Sequence, residues 1–88
     1  MGNGPFSYFF RLQQRHITPD RLKFILETAN HSIWLKALML EGNDLGDEGC
    51  DVLSEYLAND GKLTYLFLEK NGISNKGLEI LLEGLRNC

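Results

Sequence analysis

Apolar and polar positions along the chain change rhythm at regular intervals. From Leu35 the apolar residues alternate, Leu38 and Leu40 being interleaved with Ala37, Met39 and Glu41, and a period of about two predicts a short strand. Beyond a turn that carries Asn43 and Gly46, the apolar residues fall at Cys50, Leu53 and Leu57, a period near 3.6 that predicts a helix with one buried stripe. The same change of rhythm recurs 28 residues later: Leu66 and Leu68 alternate with Tyr65, Phe67 and Glu69, then Leu78, Leu81, Leu82 and Leu85 follow at helical spacing. Residues 35–60 set on 63–88 without a gap are identical at ten positions. These are Leu35/Leu63, Leu38/Leu66, Leu40/Leu68, Glu41/Glu69, Asn43/Asn71, Gly49/Gly77, Leu53/Leu81, Glu55/Glu83, Leu57/Leu85 and Asn59/Asn87. Leucine, asparagine and glycine dominate the set. They fill a core, tie a turn and permit close backbone approach, so the duplication describes an architecture more than a chemistry.

Residues 7–34 hold the same phase by character. Phe10 and Leu12 stand for Leu38 and Leu40, Ile17 for Leu45, Leu22 for Cys50, Ile25 for Leu53 and Ala29 for Leu57. Arg15 replaces the asparagine and Arg21 the glycine, positions that would face a preceding neighbour, as expected of an atypical first repeat. The expected organisation is a lead-in over 1–6 and a repeat domain over 7–88, with units 7–34, 35–62 and 63–88. Helix starts fall at one phase, at Thr18-Pro19-Asp20, Gly46-Asp47-Glu48 and Ser74-Asn75-Lys76. Thr18 and Ser74 suit the N-cap, and Pro19 suits the first helical position. A strand and a helix in 28 residues cannot bury the strand's inner face alone, so the units must stack. Strands then form a parallel sheet. Helices, being wider than the ~4.8 Å strand spacing, form an outer row that bends the stack, with the strands on the concave side.

The run Leu-x-x-Leu-x-Leu-x-x-Asn-x-Leu/Ile-x-x-x-Gly-x-x-x-Leu-x-x-x-Leu, read from Leu35 to Leu57 and again from Leu63 to Leu85, resembles the leucine-rich repeats of the ribonuclease-inhibitor type. That subclass also occurs in NOD-like receptors, Ran GTPase-activating proteins and tropomodulins. The resemblance is strong over 35–88 and weaker over 7–34, where Arg15 departs from the pattern. It implies an α/β solenoid, a short horseshoe arc of about three repeats, whose usual activity is to bind a protein partner. Asn43 and Asn71 match the family's asparagine ladder.

Alternation turns Phe9, Arg11 and Gln13 outward in the first unit, Ala37, Met39 and Glu41 in the second, and Tyr65, Phe67 and Glu69 in the third. Across the sheet they form the rows Phe9–Ala37–Tyr65, Arg11–Met39–Phe67 and Gln13–Glu41–Glu69, free of the core. Aromatic residues, methionine and arginine are enriched at the centres of protein interfaces, and the neighbouring carboxylates of Glu41 and Glu69 suit a basic partner group. Apolar residues in strands also reflect β propensity alone. Trp34, ahead of the second strand, reads as a packing residue or as part of the binding rim. Phe9, Arg11, Trp34, Met39, Glu41, Tyr65, Phe67 and Glu69 are the candidate partner-binding residues.

Composition narrows the function further. The net charge is −3, with four basic against two acidic residues over 1–34 and five against ten over 35–88, which argues against nucleic acid as the main partner. No apolar run reaches the roughly 20 residues that span a bilayer, and the start Met-Gly-Asn-Gly-Pro-Phe-Ser has no signal-peptide layout, so a cytoplasmic chain without membrane contact is expected. Cys50, at the helix position of Leu22 and Leu78, reads as a small core residue. With Cys88 it offers neither a disulfide framework nor zinc spacing, and His16 and His31 belong to no triad pattern. No metal, cofactor or catalytic set is expected. The leading expectation is a non-catalytic protein-interaction module. The alternatives are an architectural unit that associates with itself through open repeat ends, or, by the likeness to GTPase-activating relatives, a regulator of a nucleotide-binding enzyme.

Overall fold

The computed structural model describes residues 7–29, 34–60 and 63–86, so the expectations for the lead-in over 1–6, for His31 and for Cys88 lie outside the described residues. Strand and helix alternate as the change of rhythm requires: β1 (Ser7–Arg11), α1 (Pro19–Ala29), β2 (Trp34–Met39), α2 (Gly46–Asp60), β3 (Tyr65–Phe67) and α3 (Asn75–Arg86). The strands form one parallel sheet in the order β1-β2-β3, each helix returning the chain to the next strand.

Phe10, Leu38 and Leu66 are register partners, and so are Phe9, Ala37 and Tyr65, and Arg11, Met39 and Phe67. Two of the three rows expected from the alternation are thus present as strand pairs. The third continues beyond the strand ends, where Gln14 N donates to Glu41 O and Gly42 N to Glu69 O, each at 2.9 Å. At the start of the sheet the phase slips by one residue. Ser7 pairs with Trp34 and Tyr8 with Leu35, because the register shifts between Tyr8 and Phe9 and leaves Lys36 as the extra residue of β2.

The core lies between sheet and helices. Leu22, Leu38, Leu40, Leu45, Leu53 and Cys50 are its largest fully buried side chains, and Phe10, Leu12, Leu66 and Leu68 pack on it from the outer units. The burial expected of Cys50 is met, and desolvation raises its thiol pKa above the ordinary value.

Asn43 and Asn71 are buried polar residues that bond across units. Asn43 Oδ1 accepts from Arg15 N at 2.9 Å and Ile17 N at 3.0 Å, while its Nδ2 donates to Leu12 O and Leu40 O at 2.8 Å each. Asn71 Nδ2 donates to Leu40 O at 2.8 Å, Leu68 O at 3.1 Å and Glu69 O at 3.3 Å, and its Oδ1 accepts from Leu45 N at 3.3 Å. Arg15, at the same phase in the first unit, is exposed, as a unit with no described neighbour before it permits.

The helix starts behave as their sequences predict. Thr18 Oγ1 accepts from Arg21 N at 3.4 Å ahead of Pro19, and Ser74 Oγ accepts from Lys76 N at 3.2 Å ahead of Asn75. A second bond at this end is not visible in either repeat taken alone: Asp47, in the first turn of α2, accepts from both the Ser74 amide at 2.8 Å and the Ser74 hydroxyl. It clasps the N-terminal ends of α2 and α3.

Helix spacing is uneven, and α2 packs far more extensively on α3 than on α1. At Gly84 an added Cβ would lie 2.7 Å from the Ser54 backbone, and at Gly77 it would collide with the Asp47 carboxylate and sit 3.0 Å from Cys50 Sγ. These two glycines let α3 close on α2. Tyr56 holds the phase of Gly84 one unit earlier, and there α1 and α2 stay apart.

Two expectations meet on α3, one buried stripe per helix and an open repeat end whose leucines lack a cover. Its apolar stripe is only partly covered: Leu81 is buried, whereas Leu78, Leu82 and Leu85 are 51%, 58% and 52% exposed. Their counterparts Cys50 and Leu57 are buried because α3 lies over α2, and no described element lies over α3.

Removing the Asn43 amide strands Arg15 N, Ile17 N and Leu12 O in a covered turn, so Asn43→Ala should cost about 2–3 kcal/mol and Asn71→Ala, with longer bonds, about 1–2 kcal/mol. Urea midpoints at constant slope measure this. The Ser74 hydroxyl and amide hold the Asp47 carboxyl below its ordinary pKa. The bonus is therefore fully present above the unfolded carboxyl's pKa of about 3.9 and is lost as pH falls through the lower folded value. Melting temperatures of wild type and Asp47→Asn should differ at neutral pH and converge in acid below about pH 4.

Candidate functional site

The face of the sheet turned away from the helices gathers the candidate residues of all three strands. Phe9 and Tyr65 are 43% and 49% exposed and flank Ala37, which is fully buried. Ala37 was expected to be outward and free of the core. It is outward, but the rings one strand away on each side leave a methyl group no access to water. The row therefore reads aromatic, floor, aromatic.

One row further on, Met39 is half-buried between Arg11 and Phe67. The Arg11 guanidinium lies 5.7 Å from the centre of the Phe9 ring, within cation–π range, so β1 already pairs its aromatic ring with its cation. Gln13 turns its amide to Met39 Sδ at 3.9 Å. On β3 the equivalent positions are Tyr65, Phe67 and Glu69, all exposed. Glu41 stands beside Glu69 and is only partly exposed, and its Oε1 is covered with no hydrogen-bond partner. The structure thus brings Phe9, Arg11, Met39, Glu41, Tyr65, Phe67 and Glu69 onto one face. Trp34 is a backbone member of β2, paired with Ser7, and its side chain lies outside the described set.

Three features were absent from the sequence reading. A cleft of about 260 Å³ opens on the helical side between α1 and α2, lined by Lys23, Leu26, Glu27, Val52, Glu55, Tyr56 and Asn59. The exchange of Tyr56 for Gly84 at one repeat phase was the available signal for it. Phe24 on α1 is 66% exposed. His16 and Asp44 approach at 3.5 Å on the exposed strand exits, where His16 adopts a left-handed φ of 55°. Among the described residues no group of acidic, histidine or cysteine side chains could hold a metal ion, and no helix is long and apolar enough to cross a membrane.

Parallel strands each followed by a helix, with asparagine side chains bonding from unit to unit, define a stacked α/β repeat protein whose strands line its inner face. A family model described as Leucine Rich repeat matches residues 31–54 and 62–82, and the chain belongs to the leucine-rich repeat family. The three-element parallel sheet and its helices fit a short α/β arc of the ribonuclease-inhibitor type. The chain is 34% identical over 76 residues to NACHT, LRR and PYD domains-containing protein 2 of Homo sapiens, covering 85% of this chain and 7% of that protein. It is 28% identical over 81 residues to NACHT, LRR and PYD domains-containing protein 14 of Homo sapiens, covering 91% of this chain and 7% of that protein. The chain therefore spans a small fraction of the length of these relatives. No solved structure matches it.

Tyr65 and Phe67 stand clear of the core, so replacing each with serine should change stability by no more than about 0.5 kcal/mol. Met39→Ser, at a half-buried site, should cost about 1 kcal/mol. Denaturant midpoints of the single and triple variants check the ranking.

Proposed function

We propose that this chain is a non-catalytic protein-interaction module that receives its partner on the strand face. The observation that carries this reading is the exposed ring pair Tyr65 and Phe67 beside Met39, with Phe9 and Arg11 on the opposite strand, all held in register by the sheet. Rigid aromatic side chains on a strand scaffold offer large contact area at little ordering cost, the property that makes them interface anchors. Membership of the repeat family and likeness to proteins whose names include LRR domains support an interaction role. A free, buried Cys50 suits a reducing compartment, in keeping with a cytoplasmic module.

Self-association through the uncovered face of α3 is the second reading, favoured by exposed Leu78, Leu82 and Leu85. Its head-to-tail form is opposed by the first unit. A copy stacked with its β1 on β3 would set Arg21 at the phase where Gly77 meets the Asp47 carboxylate, and Arg15 at the phase where Asn43 and Asn71 tie their neighbours. Such a contact would lack both devices that join the described units.

Affinity capture with wild type, with M39S/Y65S/F67S and with L78K/L82K separates the two readings. The strand-face variant should lose the captured proteins and the α3 variant should keep them. The reverse pattern, together with a mass in light scattering that rises with concentration and is reduced by L78K/L82K, would move the function to the open end.

A further inference from the structure

The strand face is electrically divided, and only one half is internally satisfied. On β1 the aromatic Phe9 has its cation, since Arg11 lies over the ring at 5.7 Å. On β3 the residues at the same phases are Tyr65 and Phe67, followed by Glu69, and among the described residues neither Glu41 nor Glu69 forms an ion pair. Glu41 adds a second carboxylate one strand away, and its Oε1 is covered without a hydrogen-bond partner. A shielded carboxylate oxygen with no protein donor is costly, and because the Glu41 side chain is partly exposed a turn of its carboxylate would offer that oxygen to a partner's N–H. The nearest neutral donor in its row, the Gln13 amide, is directed to Met39 Sδ instead.

We infer that the partner received on this face presents an arginine, seated between Glu41 and Glu69 with its guanidinium plane against the Phe67 ring and an adjoining apolar side chain over Met39 and Tyr65. This rests on the strand-face reading and specifies its chemistry. Arginine fits better than lysine for two reasons. Its planar fork can give parallel hydrogen bonds to two carboxylates, and its weakly hydrated face stacks on an aromatic ring while doing so. Arg11 on Phe9 shows that a guanidinium and a ring meet on this very surface. The surplus of acid over base from residue 35 onward, ten against five, draws a basic segment toward this half of the molecule.

The test is a titration of the isotope-labelled chain followed by amide chemical shifts. The probes are acetyl-Leu-Arg-Phe-amide, the same peptide with citrulline, a neutral isostere, for arginine, and the same peptide with lysine. The arginine peptide should shift the amides of Glu41, Phe67 and Glu69 and bind at least about fivefold more tightly than the citrulline peptide, with lysine between them. Added salt should narrow the gap. Glu69→Gln, at an exposed position, should remove most of the preference, and E41Q/E69Q all of it, with the remaining spectrum unchanged. Equal response to arginine and citrulline, or an arginine response that maps to the cleft between α1 and α2, overturns the inference. So does the absence of any response. If both peptides bind equally at Met39, Tyr65 and Phe67, the charge assignment falls and the strand face stands. If M39S/Y65S/F67S retains every captured partner, the face itself falls.

Discussion

Leu40 carbonyl oxygen accepts from two asparagine side chains, Asn43 Nδ2 of its own unit and Asn71 Nδ2 of the next, each at 2.8 Å. A carbonyl has two acceptor sites, and here both are filled by side chains, one residue beyond the end of β2. Much else follows from that junction. The turn after each strand must leave the sheet while staying covered by the adjacent unit, and a covered backbone group without a partner would cost more than the bond itself contributes. Asparagine is suited to this position because one short side chain both donates and accepts. Once the turns are fixed, the strands keep their register, and the register sets which side chains share the outer face.

Fixing the strands leaves the helices to find their own spacing. Backbone bonds hold strand to strand at about 4.8 Å, whereas helices pack at about 8–10 Å, so the outer row must open unless small residues let it close. Between α2 and α3 Gly77 and Gly84 admit the Cys50 and Ser54 surfaces of α2, and the Asp47 clasp secures the end. Between α1 and α2 a tyrosine stands at the phase of Gly84, and a cleft results. The arc is thus not uniform: one helix joint is closed by glycine and the other is propped by Tyr56.

How far the sequence revealed this differs by residue. The exchange of a two-residue for a 3.6-residue rhythm disclosed the order of elements, and the 28-residue phase disclosed the rows of the strand face, because both are local consequences of side-chain direction. Ala37 was misjudged because its burial comes from the rings of Phe9 and Tyr65 on either side, a property of its neighbours. On α3 the converse holds: apolar spacing marks the face a neighbour would cover and is silent on whether one is there, so Leu81 is buried while Leu78, Leu82 and Leu85 are exposed. The clasp between Asp47 and Ser74 joins residues 27 apart, so it becomes visible only after the stacking register is known. Neither the covered Oε1 of Glu41 nor the one-residue slip at Lys36 has a signature in the alternation of apolar and polar residues.

The charges on the strand face are not spread evenly over its rows. Arg11 on β1 is in register with Phe67, so Glu69 lies two strands across and two residues along from it, roughly 12 Å away, which is beyond the distance over which physiological salt screens a charge. Long-range steering therefore sees mainly the net acidity of the molecule, while the opposition of Arg11 to Glu41 and Glu69 is felt only at contact. A segment laid along the row of Arg11, Met39 and Phe67 would meet a cation, a thioether and then a ring, while Glu41 and Glu69 stand together one row further on, beside Gln13. The rings of Phe9, Tyr65 and Phe67 add area to the face without favouring either direction, so any bias in how a segment lay there would have to come from Arg11 and the two glutamates at contact range.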